Sequence, residues 1–165
     1  MANTYTLITS VTVGTNTPTE IDFSSIPATY TDLMLMVSTR TTNAFLDIKF
    51  NGSTSNRSSK YLYGDGTNTG SGSQAGYLGV TSYSSDTANT FGNMSVYFPN
   101  YASTTTYKSY STDTVRENNA TSGEQDLVAG LWSDNAAINQ ITIFPESSGT
   151  FAQYSTAYLY GIKNS

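Results

Sequence analysis

The sequence contains no cysteine and no histidine in 165 residues. Without cysteine there is neither a disulfide nor a thiolate metal centre, so the fold must rest on packing, hydrogen bonding or association. Without either residue the Ser-His-Asp and Cys-His arrangements of nucleophilic catalysis cannot be built, and a His-ligated zinc site is equally excluded. Charge is scarce too: 12% of residues are charged, and the formal net charge is -5. With no basic cluster to neutralise phosphates, nucleic acid and anionic membrane surfaces are poor partners. No apolar run approaches the length that crosses a bilayer, and the N-terminus lacks the basic and apolar segments of a secretory signal. A protein made in the cytoplasm without a signal peptide is expected.

What is abundant is hydroxyl and aromatic. There are 27 Thr, 23 Ser, 13 Tyr and 13 Gly, a mixture that suits pleated surfaces and turns, while the usual residues of helix surfaces are few. Hydrophobic content of 37% argues against wholesale disorder. The length fits a single domain over residues 1–165. Apolar alternation and turn signals predict about ten strands, an antiparallel β-sandwich with no internal repeat, heptad or linker.

Residues 26–52 hold the densest apolar sequence and read as two paired strands at the centre of the sheet system. Leu33, Met34, Leu35, Met36 and Val37 are apolar in succession, which a strand carries only if both of its faces are covered. Leu33, Leu35 and Val37 are assigned to the core. Met34 and Met36 then point the other way and require cover from a second copy, with a homotrimer expected. In Phe45–Phe50, Leu46, Ile48 and Phe50 alternate with Asp47 and Lys49, and Asn51-Gly52 supplies a hairpin-type turn. Other inward positions are Leu7, Val11, Phe23, Met94, Val96, Phe98, Leu127, Leu131, Ile141, Ile143 and Leu159. Residues 107–115, polar on both faces apart from tyrosines, suit an edge or outer strand.

No motif carries chemistry. Asp113 and Glu117 lie four apart on a predicted strand and could share a face, as a glycoside-cleaving carboxylate pair would; a solvated strand whose charge resists aggregation is the preferred account. The Gly-rich segment 64–76 lacks the Gly-Lys-Ser/Thr ending of a phosphate loop, and as a calcium loop it places Gly76 where the bidentate Glu belongs. It is expected to be a flexible exposed connection. Tyr61, Tyr63, Tyr77 and Tyr83 flank it, and with Asp65 and Asn68 they form the candidate partner-contact set, fitted to a protein or a glycan by aromatic faces beside amides. Cross-strand packing is the competing role for those rings. No cofactor and no metal are expected.

Several stretches together resemble a family of small virion proteins of tailed bacteriophages of aquatic bacteria. They are Tyr5-Thr6-Leu7-Ile8; Ile21-Asp22-Phe23 with Ile26-Pro27-Ala28-Thr29-Tyr30-Thr31-Asp32-Leu33; Phe50-Asn51-Gly52-Ser53; Glu117-Asn118-Asn119-Ala120-Thr121; Ala129-Gly130-Leu131-Trp132-Ser133-Asp134; and the ending Tyr158-Leu159-Tyr160-Gly161-Ile162-Lys163-Asn164-Ser165. The resemblance implies a jelly-roll-like sandwich and a structural, non-enzymatic role on the virion. A capsid decoration or cement protein bound to the major capsid protein or another virion protein is the expected role, because a first strand near residue 5 and a last one ending near the terminus leave no room for a fibre stalk. The alternative is a tail-fibre or spike module that recognises host-surface carbohydrate.

Overall fold

The computed structural model describes residues 4–119 and 123–163. Those residues form thirteen strands and no helix: β1 (Thr4–Thr12), β2 (Ile21–Phe23), β3 (Asp32–Thr41), β4 (Phe45–Phe50), β5 (Arg57–Gly64), β6 (Thr69–Ser73), β7 (Tyr77–Val80), β8 (Ser82–Tyr83), β9 (Gly92–Phe98), β10 (Lys108–Glu117), β11 (Gly123–Trp132), β12 (Ile141–Pro145) and β13 (Thr156–Lys163). The wide sheet runs β1, β13, β3, β9, β10, β11, β5, β6, with the short β8 pairing in parallel with β3 off that path. The narrow sheet runs β2, β12, β4, β7. All pairings except that of β8 are antiparallel.

Eight of these strands form a jelly roll. Its pairs are nested: β1 with β13, β2 with β12, β3 with β9, and β4 with β7. Such a ladder is one long hairpin, and folding it across itself sends alternate pairs to opposite sheets and produces the two Greek keys of the fold. The remaining long strands are insertions. The β5–β6 hairpin enters between β4 and β7, and β10 with β11 enters between β9 and β12; together they widen one sheet by four strands beside β9. One buried cluster joins the sheets, with Ile21, Phe23, Leu46, Ile48, Phe50, Ile141 and Ile143 of the narrow sheet against Leu33, Leu35, Met94, Val96, Phe98 and Leu159 of the wide one.

The structure changes several expectations. β3 and β4 do not pair: they lie in opposite sheets, because the connection between them crosses the sandwich. The Asn51-Gly52 turn is present, with φ of 51° and 76° and reciprocal Phe50 and Ser53 backbone bonds of 3.1 and 2.9 Å, as a two-residue hairpin turn requires. Leu7 is 50% exposed, because a bulge at Ile8 shifts the register of β1 between Leu7 and Thr9 and turns Leu7 to the opposite face from Val11. Val11 is half-buried against the core. On β11 the parity is inverted. Val128, Gly130 and Trp132 are buried, while Leu127 is exposed and Leu131 half-exposed. Both parities of that strand carry apolar residues, and the stacking of Trp132 on Phe50, with ring centroids 5.2 Å apart, selects between them.

Residues 107–115 are not an edge. β10 is hydrogen-bonded on both sides, by β9 and β11, and two of its buried hydroxyls bond internally: Thr114 Oγ1 donates to the Val80 carbonyl at 2.6 Å, and the Tyr110 hydroxyl pairs with Ser59 Oγ at 2.9 Å. Nor is 64–76 a loop throughout, since Thr69–Ser73 is β6. A Thr-Gly-Ser-Gly-Ser strand has little intrinsic β preference, but Gly70 and Gly72 sit directly opposite Tyr63 and Tyr61. Each ring lies flat over its glycine, where an added Cβ would come within 2.5 and 2.4 Å of ring carbons. An aromatic ring over a cross-strand glycine supplies the cover that the glycine lacks.

Candidate functional site

The sequence-derived contact residues divide into three neighbourhoods. Tyr61, Tyr63 and Tyr77 come together on the inward side of the widened sheet, with Tyr61 and Tyr77 ring centroids 4.6 Å apart and Tyr61 and Tyr63 6.4 Å apart. Tyr77 is buried, and its hydroxyl donates to Asp126 Oδ2 at 2.5 Å. These rings hold the β5–β6 hairpin to the sandwich. Asp65 and Asn68 form its tip. Asp65 Oδ1 accepts the backbone N–H groups of Thr67 and Asn68 at 2.8 and 2.5 Å, and Oδ2 accepts Asn68 Nδ2 at 3.1 Å. Those bonds to Asn68 and Thr67 lower the Asp65 pKa and give the exposed tip a set shape.

Tyr83 belongs elsewhere, on β8 beside β3. The Arg116 guanidinium lies over its ring at 5.1 Å. Below it, the buried Asp86 carboxylate accepts the Tyr83 backbone N–H at 3.0 Å, Asn118 Nδ2 at 3.3 Å and Arg116 Nη1 at 3.4 Å. Arg40 orders the same loop by donating to the carbonyls of Thr87 and Asp86 at 2.9 Å each. Neither cation is legible as structural from sequence, because its acceptors are backbone groups and distant side chains.

Asp113 and Glu117 do share the outward face of β10, but four strand residues separate their backbones by about 13 Å, more than the about 5–9.5 Å between the carboxyls of a glycosidase pair. Each has a local partner: Asp113 Oδ1 accepts Gln125 Nε2 at 3.3 Å, and Glu117 Oε1 accepts the Asn119 N–H at 2.6 Å. Among the described residues no group of three or more His, Cys, Asp or Glu is placed to hold a metal ion.

Asp126 is a further buried carboxylate that sequence reasoning missed. It is fully buried on the inward side of β11, and burial pushes its pKa up to about 6, against the opposing effect of the Tyr77 hydrogen bond. A carboxyl whose folded pKa exceeds its unfolded value of 3.8 favours the folded state as it protonates, so this stabilisation is absent well above pH 6 and grows as pH falls through it. Asp47 and Glu146, also raised by burial, act in the same direction. Stability in urea is therefore expected to rise by about 1.4 kcal/mol between pH 7.5 and pH 5 from Asp126 alone. Asp126→Asn should remove most of that difference; an unchanged pH profile in the variant would assign it to other groups.

Met34 and Met36 face outward from β3, Met34 half-buried and Met36 49% exposed. They belong to a larger surface. Following the register across the wide sheet from β1 to β6, one outward row reads Ser10, Tyr158, Met36, Ser95, Asp113, Leu127, Leu62, Ser71. The next reads Leu7, Tyr160, Met34, Tyr97, Ser111, Ala129, Lys60, Ser73. Leu62 and Leu127, 61% and 53% exposed, are directly paired. Shallow open depressions lie over β11, beside Leu62 and Leu127, and over β3, beside Met36 and Tyr158. The narrow sheet is different: Asp22, Asp47 and Lys49 share its outward rows with Thr142 and Phe144, with Lys49 paired to Glu20 and Asp47 to Arg57. No family model, curated protein or solved structure matches the chain.

Proposed function

We propose that this chain is a non-enzymatic structural protein of a tailed-phage virion, a decoration or cement subunit attached to the outer capsid surface through the end of the molecule that carries the β5–β6 hairpin. The observation that carries this reading is the hairpin itself. It is an insertion into the jelly roll, its tip from Asp65 to Thr69 is exposed throughout, and the Asp65 hydrogen bonds preform it. A preformed polar tip loses little conformational freedom on docking. Low charge and abundant Ser, Thr, Asn and Tyr suit an interface made of hydrogen bonds and shape. Many weak attachments on a lattice add up to firm binding when the subunits are linked. The resemblance of the sequence to small virion proteins supports the same reading.

Purified protein is expected to rebind stripped capsids with modest salt dependence. Unlocking the tip with Asp65→Ala and Asn68→Ala should weaken rebinding by about tenfold, the equivalent of 1.4 kcal/mol, while leaving the unfolding midpoint almost unchanged. Tyr61→Ala with Tyr63→Ala should weaken it further, by uncovering Gly70 and Gly72 and removing the ring that packs on Tyr77. Binding to host-surface glycan instead of capsids would move the protein to a tail fibre or spike, and binding to neither would end both assignments.

A further inference from the structure

We infer that the outer face of the wide sheet is a self-complementary interface, on which a second copy of this chain stacks face to face about a two-fold axis parallel to the strands. The register carries the inference. The central outward row reads polar, apolar, apolar, polar across β1, β13, β3 and β9, and the same again across β10, β11, β5 and β6. A two-fold between β9 and β10 reverses the strand order while keeping position along the strands. It therefore sets Met36 against the second copy's Leu127, Tyr158 against the second copy's Leu62, and Ser95 against the second copy's Asp113, each contact occurring twice. In the adjacent row it brings Tyr160 over the second copy's Lys60, an aromatic face for a cation. Isologous contacts require this property of a surface, that its own reversed pattern complements it.

Size agrees with the pattern. Eight strands about 4.8 Å apart and about 20 Å of strand length give about 760 Å² per copy, or about 1,500 Å² in total, within the range of stable interfaces. Stacked sheets pack by interdigitating side chains about 10 Å apart, and the depressions over β3 and β11 give the room for it. The row towards the far end of the sheet reads Thr156, Ser38, Asn93, Val115 and Gln125, polar apart from Val115, and forms a rim. A face-to-face stack closes with two copies, so a dimer takes the place of the trimer expected from the methionines alone.

The full chain is expected to sediment as a dimer at micromolar concentration. Met36→Lys and Leu127→Lys should each give a folded monomer, whereas Met36→Lys combined with Leu127→Glu should restore the dimer, because the two positions face each other across the axis. The absence of native cysteine permits a second test. Met36 and Leu127 of one chain are three strands, about 14 Å, apart, too far for an internal disulfide. Mixing the Met36→Cys and Leu127→Cys proteins with a bis-thiol cross-linker of about 10 Å reach, the spacing of stacked sheets, should therefore yield a covalent dimer containing one of each. A monomeric or trimeric native protein, or a mixture that fails to cross-link, would overturn the inference. None of these outcomes depends on capsid rebinding, so this association and the shell attachment stand or fall separately.

Discussion

Phe50→Ala is expected to cost about 3–5 kcal/mol, the largest loss from any single truncation in the core. Phe50 is fully buried at the end of β4, and its ring meets three aromatic neighbours: Trp132 stacked at 5.2 Å, Phe98 edge-on at 5.9 Å and Tyr110 tilted at 5.7 Å. These come from β9, β10 and β11. One side chain thus ties the narrow sheet both to the jelly-roll part of the wide sheet and to the inserted strands beside it. Removing it leaves a cavity among rigid rings that cannot collapse inward, and aromatic pairs lose about 0.5–1.5 kcal/mol each beyond their buried area. Against a total stability of about 5–15 kcal/mol, the variant should unfold at a much lower urea concentration. A midpoint close to that of the native protein would show that the insertion is held by other contacts.

Gly130→Val is expected to destabilise by about 3 kcal/mol or more, while Ala129→Val one residue earlier stays within about 0.5 kcal/mol. A Cβ on Gly130 would lie 2.0 Å from the Tyr110 ring. That ring has nowhere to go: its hydroxyl bonds Ser59 Oγ at 2.9 Å, and Phe50 and Phe98 flank it at 5.7 and 5.8 Å. Ala129 points to the outer face of the wide sheet, away from the core. Comparing the two variants by urea unfolding tests the parity of β11 directly. If Ala129→Val were the damaging one, Leu127 and Leu131 would be the inward residues after all.

Alternation exposed the faces of β4 and β9, because in each of them polar residues fill one parity and apolar residues the other. Leu46, Ile48 and Phe50 alternate with Asp47 and Lys49, and the charged pair decides the face without reference to anything else. β11 offered no such asymmetry. Leu127 and Leu131 compete with Val128 and Trp132, and only the position of Phe50, 82 residues before Trp132, chooses between them. β1 failed for a local reason, since a bulge at Ile8 breaks the period on which the face assignment of Leu7 depended. The tip residues Asp65 and Asn68 were legible as a turn, but the tyrosines around them read equally well as contacts and as packing. Asp126 left no signal, since an acidic residue beside apolar ones reads as exposed until a partner such as Tyr77 is brought over it.

The sequence by itself determined that the chain is all-β, that it has no disulfide, and that Met34 and Met36 oppose a buried row, because composition and the period of two are properties of neighbouring residues. Only the tertiary structure decided that β3 and β4 lie in opposite sheets, that Thr69–Ser73 becomes a strand, and that the outward residues line up in a row that complements its own reverse. Each of these depends on which distant strand lies beside which. Strand order is set by the nested pairing of β1 with β13 and β3 with β9 across most of the chain, and local sequence carries no record of a partner more than a hundred residues away.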